Sequence, residues 1–202
     1  MIITKISVQE KNKEYCNVFL DDNYAFSLSL EQVILLRLKV GNEVNKKDFK
    51  DIILKSEIEK AKNLAIKYLS KYLKTKKEIK EYLTKKGFEY IVVREVIDKL
   101  IEYSLIDDLS YSKKFIEANS RTQGKRMIEY KLMMKGVSKD IIACAYSQVE
   151  VDETDGAINL AKKHLRNKEL TRENLSKTYK YLVGKGFSYE QAESAINYFK
   201  EQ

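Results

Sequence analysis

The sequence predicts a mainly helical fold: tandem three-helix repeats in an extended, curved array, preceded by a small N-terminal antiparallel β-sheet. Three observations carry this expectation. Leu83-Thr84-Lys85-Lys86-Gly87-Phe88, Leu132-Met133-Met134-Lys135-Gly136-Val137 and Leu182-Val183-Gly184-Lys185-Gly186-Phe187 share a leucine, a glycine four residues on and an apolar residue after it. Their glycines stand 49 and then 50 residues apart, which marks an internal repeat. The chain has no proline and is rich in Lys, Glu, Leu, Ile and Tyr, a composition suited to long helices. The first 29 residues instead show the apolar–polar alternation of strands.

In that opening stretch Thr4, Ile6 and Val8, then Cys16, Val18 and Leu20, then Tyr24, Phe26 and Leu28 alternate with polar positions. That is the period of a half-buried strand. Asp21-Asp22-Asn23 is turn chemistry, so three antiparallel strands are expected. Ser29 and Gln32 form a capping-box pattern ahead of Val33, Ile34, Leu35, Leu36 and Leu38, and Gly41 is the expected end of that helix. A sheet this small needs such a helix to cover it. Asn45 caps the next helical stretch, whose apolar residues Phe49, Ile52 and Ile53 lead through the charged run 57–62 to Leu64, Ala65, Tyr68, Leu69 and Tyr72. One long helix and two shorter ones are both open there.

Each repeat then reads as three helices. The first helices carry Leu64, Ala65, Tyr68 and Leu69, then Tyr111, Phe115 and Ile116, then Ile158, Ala161 and Leu165. The second helices are expected to start at Thr75, Gly124 and Asn174, each 12 residues before its repeat's glycine. The third follow the glycines, with Val92, Val93, Val96, Ile97 and Leu100, then Ile141, Ile142 and Val149, then Ala192, Ala195, Ile196 and Phe199. Ser138 and Ser188 are good caps for two of them, and Glu89 is a poor one. Asp107-Asp108 and the stretch 152–155 read as helix caps at the entries to the second and third repeats. The resulting division is 1–55, 56–108, 109–149 and 150–202.

The repeated motif has a physical reading. A Schellman helix end places glycine at C′, where the backbone turns left-handed, and an apolar residue at C″ that folds back on C3. Gly87, Gly136 and Gly186 are the expected C′ caps, with Phe88, Val137 and Phe187 at C″ and Leu83, Leu132 and Leu182 at C3. Lys86, Lys135 and Lys185 fall at the C-cap, where positive charge suits the helix dipole.

The net charge of +8 is unevenly spread. Residues 1–55 hold nine basic and eight acidic side chains, 56–108 twelve and ten, 109–149 eight and three, and 150–202 nine and nine. The excess therefore sits in the middle repeat and points to an anionic partner, nucleic acid or an acidic protein surface, with a merely solvated face as the alternative. There is no run of 18 apolar residues, and the first residues lack the organisation of a signal peptide. Cys16 and Cys144 suit a reducing compartment, so a cytoplasmic protein without a membrane span or disulfide is expected. A single histidine, His164, does not form a zinc site with them at usual spacings. No phosphate loop or nucleophile elbow occurs, Gly184-Lys185-Gly186 being a helix terminus, and Cys144 reads as a small core residue. Neither an enzyme nor a cofactor is expected. Tyr68, Tyr72, Tyr111, Tyr146 and Tyr198 fall among apolar helix positions and read as core or rim.

Lys76-Lys77-Glu78-Ile79 through Leu83 to Gly87-Phe88, followed by Tyr103-Ser104-Leu105-Ile106-Asp107-Asp108 leading into Tyr111 and Phe115, resembles the bacterial RecX regulators over roughly residues 60–200. The N-terminal sheet is similar to an extra segment of longer members. The resemblance implies a cytoplasmic, cofactor-free monomer that binds RecA and lodges in the groove of the RecA–DNA filament. It would thereby suppress ATP hydrolysis, strand exchange and coprotease activity, and so modulate recombination, DNA repair and the SOS response. Arg121, Lys125, Arg126, Lys131 and Lys135 are the candidate contacts to RecA or DNA phosphate, with Lys74, Lys76, Lys77 and Lys85 in support. The alternative is an autonomous helical-repeat DNA-binding protein of low sequence specificity. Residues 139–149, however, offer only Lys139 and Gln148 for reading a groove, which suits weak nonspecific binding better.

Overall fold

The computed structural model describes residues 1–200 as three strands and ten helices. The strands are β1 (Ile3–Val8), β2 (Tyr15–Leu20) and β3 (Asn23–Ser29). The helices are α1 (Leu30–Leu35), α2 (Lys46–Leu69), α3 (Lys76–Lys85), α4 (Tyr90–Glu102), α5 (Asp108–Asn119), α6 (Lys125–Met134), α7 (Lys139–Ser147), α8 (Glu153–Leu165), α9 (Arg172–Gly184) and α10 (Tyr189–Lys200). Two compact units result, one of residues 1–71 with 80–102, the other of residues 72–79 with 103 onward.

In the first unit the strands form an antiparallel meander in the order β1-β2-β3. Cys16, Val18 and Leu20 point inward as the alternation requires, and Ile3, Phe26 and Leu28 join Val18 and Leu20 in a core with Val44 and Ile52. The other two strands depart from strict alternation. A bulge between Ile3 and Lys5 lets Ile3 and Ile6, three residues apart, face the same core, while Val8 at the strand end is exposed. A second bulge, opposite Val18 and Phe19, leaves Tyr24 exposed. Asp21 and Asp22 both adopt left-handed backbone (φ 48° and 65°), giving the two-residue turn whose twist matches the strands.

The Ser29–Gln32 capping box starts α1 with both reciprocal hydrogen bonds. The helix ends at Leu35, well short of Gly41. Its terminus is a Schellman turn with Arg37 at C′ (φ 50°), Leu38 N–H donating to the Val33 carbonyl at 3.0 Å. Gly41 serves a later turn, where its N–H donates to the Ile3 carbonyl. Asn45 caps α2, which runs unbroken through residues 55 and 56. The charged run sustains it with Glu57–Lys60 and Glu59–Lys62 pairs one turn apart. Ser56 is buried and donates to the Ser27 carbonyl, which ties α2 to the sheet. Val92, Val93, Val96, Ile97 and Leu100 of α4 are buried, as are Ala61 and Ala65 on α2, against which α4 packs.

The second unit holds two complete three-helix bundles. Ile116, Ile128, Leu132, Val137, Ile142 and Ala145 make the core of α5–α7. Ala157, Leu160, Ala161, Leu165, Leu175, Leu182, Phe187, Ala192, Ala195, Ile196 and Phe199 make that of α8–α10. Asp107, Ser138, Asp152 and Ser188 each accept a backbone N–H at a helix start. The third repeat differs from its sequence reading: α9 is capped by Thr171, and Asn174 lies inside the helix, donating its N–H to Thr171 Oγ1. Thr171 stands four residues before the first buried position, Leu175, as Thr75 stands before Ile79 and Gly124 before Ile128. The core register, not the distance to the glycine, selects the cap. Cys144 is exposed rather than a core residue, because Ile142 and Ala145 take the inward positions of the short helix α7. Cys16 is buried. Tyr68, Tyr111 and Tyr146 are half-buried, whereas Tyr72 and Tyr198 are exposed.

All three glycine motifs have the same helix-end geometry. Gly87, Gly136 and Gly186 have φ of 89°, 85° and 92°. The C″ N–H groups of Phe88, Val137 and Phe187 donate to the carbonyls of Leu83, Leu132 and Leu182 at 3.3, 3.1 and 3.3 Å. Two of these ends also seat the start of another second helix. At the end of α9, Gly124 N–H donates to the Lys185 carbonyl at 3.0 Å and Arg126 N–H to the Gly186 carbonyl at 3.2 Å. A methyl group on Gly124 would fall 2.2 Å from Phe187 N, so this helix start has no room for a side chain. At the end of α6, Thr75 Oγ1 donates to the Lys135 carbonyl at 2.7 Å and Lys77 Nζ to the Met134 carbonyl at 3.0 Å. A methyl group on Gly136 would lie 2.5 Å from Lys77 Cβ and one on Gly186 2.5 Å from Met127 N, while at Gly87 it would meet nothing within 4 Å.

This contrast predicts graded stabilities. Gly87→Ala incurs the left-handed backbone penalty alone, about 1 kcal/mol. Gly136→Ala and Gly186→Ala add overpacking, about 1–3 kcal/mol more. Gly184→Ala, inside α9 and facing open space, stabilises by about 0.5–1 kcal/mol. Urea denaturation of the four variants checks the order.

Candidate partner-binding site

The basic residues singled out in the sequence divide into two sets. Lys135, Lys74 and Lys77 are drawn into the seat between α6 and the start of α3. Lys135 Nζ lies 2.7 Å from Glu78 Oε1 and 5.6 Å from the centre of the Tyr111 ring. Lys74 Nζ is 3.9 Å from the same Glu78 oxygen. Lys77 is spent on the Met134 carbonyl. Lys76 is exposed, and its backbone N–H donates at 2.9 Å to Asp108, a residue read from sequence as a cap for its own helix. Asp107 alone caps α5, while Asp108 reaches back to the start of α3.

Arg121, Lys125 and Arg126 form the other set. Arg121 is exposed in the turn after α5, and Lys125 and Arg126 are exposed on the first turn of α6. Lys125 Nζ stands 4.8 Å from the Tyr146 ring centre and Arg126 Cζ 5.5 Å from that of Tyr189. These are cation–π distances, which orient a cation while leaving its charge available. Burial, reinforced by Glu153 and Glu129, raises the Tyr146 hydroxyl pKa and keeps that ring neutral. Lys131 is half-buried farther along α6. Lys85 is exposed in the last turn of α3, in the other compact unit. Lys86 and Lys185, at their C-caps, lie over Tyr82 and Tyr181 one turn earlier.

One exposed feature was passed over in the sequence. Tyr130, Met133 and Met134 on α6 are 56%, 39% and 60% exposed, and with Arg126 they follow the i, i+4, i+7, i+8 spacing of a single face. Ile128 and Leu132 occupy the opposite, core-facing side. The signal was available, since α6 has too many apolar residues for one face.

Among the described residues no helix is long and apolar enough to cross a membrane, and no cluster of His, Cys, Asp and Glu could hold a metal. Fold and site together define a helical-repeat protein, an N-terminal sheet followed by three-helix units that bear a basic, partly aromatic surface. Family models match three stretches: residues 1–45 the regulatory protein RecX N-terminal domain, 61–100 the RecX first three-helix domain, and 107–145 the RecX second three-helix domain. The regulatory protein RecX of Clostridium botulinum (strain Eklund 17B / Type B) is 38% identical over 193 residues, covering 93% of this chain and 91% of its own. That of Clostridium tetani (strain Massachusetts / E88) is 34% identical, covering 96% and 93%. A crystal structure of regulatory protein RecX superposes with a TM-score of 0.75 at 28% identity, covering 97% of this chain and 98% of that one. RecX from Lactobacillus salivarius gives 0.64 at 27% identity over 72% of this chain and 98% of its own. The chain belongs to the RecX family of regulatory proteins, and the kinship includes the N-terminal sheet.

The Glu78–Lys135 pair makes stability depend on pH. Partial burial opposes the Glu78 charge, but hydrogen bonds from Lys135 and the Thr75 N–H, with the charges of Lys135 and Lys74, outweigh it and hold the carboxyl below its ordinary range. Partial burial also opposes the Lys135 charge, and Glu78 and Tyr111 overcome it and raise that ammonium. A lowered acid stabilises the fold above its unfolded pKa of about 4.3, and the contribution is lost as pH falls through the folded value. Wild type should therefore exceed Glu78→Gln by about 1 kcal/mol at pH 7, the two converging as pH falls below the ordinary carboxylate range. Urea titrations across that range measure the difference.

Proposed function

We propose that the chain binds RecA and the groove of the RecA–DNA filament and restrains its ATPase, strand-exchange and coprotease activities. It would act in the cytoplasm as a modulator of recombination, DNA repair and the SOS response. The observation that carries this reading is the basic cluster of Arg121, Lys125 and Arg126, presented at the start of α6 in a RecX-family chain. Its mechanism is steric and allosteric: a groove-bound repeat protein blocks the second DNA strand and limits the subunit movements that accompany nucleotide turnover. Lys76, Lys85 and Lys131 reinforce the attraction to acidic side chains or phosphates. Lys74, Lys77 and Lys135 act indirectly, by holding the start of α3 on the end of α6.

Reversing three charges at such a surface removes three attractions and adds three repulsions. The Arg121→Glu, Lys125→Glu, Arg126→Glu protein, with its helical circular dichroism intact, should need at least about tenfold more protein to inhibit RecA ATP hydrolysis on single-stranded DNA. Unchanged inhibition by that folded variant would remove the assignment.

A further inference from the structure

The outward face of α6 carries three large apolar side chains that the scaffold does not need. The repeats supply their own control. Counting back from the C′ glycines, the positions of Tyr130, Met133 and Met134 correspond to Glu81, Thr84 and Lys85 in α3 and to Lys180, Val183 and Gly184 in α9. Both sister helices end in the same Schellman turn with polar or small residues at most of these places. In α9 the one large apolar residue, Val183, packs against the core of its bundle. On α6, by contrast, the whole stripe is exposed, Tyr130 and Met134 by more than half. The bundle of α5–α7 is complete without it, since Ile128 and Leu132 already fill the inward face.

Solvent-facing apolar residues of this size, contiguous and rimmed by charge, are characteristic of surfaces that other proteins cover. Arg126 lies on the same face, and residues 109–149 hold eight basic against three acidic side chains, so the complementary surface is acidic around an apolar centre. A phosphate backbone has nothing to bury a thioether against. Methionine is suited to this role because its flexible, polarisable chain adapts to an irregular protein surface. Tyrosine and arginine are the side chains most often found at binding hot spots.

We infer that the Tyr130–Met133–Met134 stripe is a protein-docking face whose occupant is an apolar protein surface with an acidic rim, not nucleic acid. The inference rests on the filament-binding reading above and assigns the division of labour within that site. The basic cluster at the start of α6 steers association, and the stripe supplies the contact that slows dissociation.

The test compares the full-length chain with its Tyr130→Ser, Met133→Ser, Met134→Ser variant on RecA assembled on single-stranded DNA and on the same DNA naked, at low and high salt. The substitutions are at solvent-facing positions, and unchanged urea denaturation confirms that the fold is kept. Filament affinity should fall about 30-fold or more, chiefly through faster dissociation, while binding to naked DNA and its salt dependence stay as in wild type. The charge-reversed cluster should instead slow association and flatten the salt dependence. Unaltered filament binding by the stripe variant, with wild type still binding, would overturn this inference and leave the filament reading standing. An equal loss on naked DNA would also overturn it, by showing that Tyr130 stacks on bases. Failure of wild type to bind the filament at all would remove the filament reading, and this inference with it.

Discussion

A helix ends with carbonyl groups its own backbone cannot satisfy and begins with N–H groups in the same position. In this protein the two deficits are matched where the start of α6 meets the end of α9. The left-handed glycine turn at the end of α9 presents the carbonyls of Lys185 and Gly186 to the opening N–H groups of α6. The turn at the end of α6 presents those of Met134 and Lys135 to side chains instead, the Thr75 hydroxyl and the Lys77 ammonium at the opening of α3. Two dipoles meet head to tail at each seat, positive end against negative, which favours the same arrangement. The glycine is thus constrained twice, by a backbone angle that L side chains seldom adopt and, at Gly136 and Gly186, by the helix start resting on it.

That seat also decides which charges are available. The basic residues of the first two repeats look equivalent in the sequence, but the seat draws Lys135 into a pair with Glu78, beside Lys74, and engages Lys77 from the other side. At the start of α6, Arg121, Lys125 and Arg126 lie exposed in or beside its first turn. Tyrosine rings under two of them hold their direction without neutralising them. The same helix therefore has a buried side that builds the bundle, two ends that seat neighbouring helices, and an outer side whose residues neither task explains.

Much of the local structure was legible in the residues. The three strands, the Ser29 and Asn45 caps, the cap residues Asp107, Ser138, Asp152 and Ser188, and the glycine turns all follow from rules that act within a few residues. The departures are equally physical. Two bulges each shift alternation by one and send Thr4 and Tyr24 out of phase. Arg37 closes α1 before Gly41 in a non-glycine left-handed turn, the Leu38 N–H donating to the Val33 carbonyl and both side chains packing against the sheet core. Cys144 resembled a core residue from its neighbours, but in a helix of nine residues the inward face takes Ile142 and Ala145.

By itself the sequence determined many of the helix starts and the three glycine-turn ends, because capping and left-handed turns are satisfied by side chains and backbone within one helical turn. The start of α9 followed the core register instead, and α1 ended short of Gly41. It also determined the repeat period and the family. Only the tertiary structure decided what those ends are for and which lysines are spent. Thr75 and Lys135 are 60 residues apart and Gly124 and Lys185 are 61, and no local pattern records that the end of one helix meets the start of another. The exposed stripe on α6 was hidden for the same reason: a run of apolar residues reads as core until the fold shows which of them the core has already used.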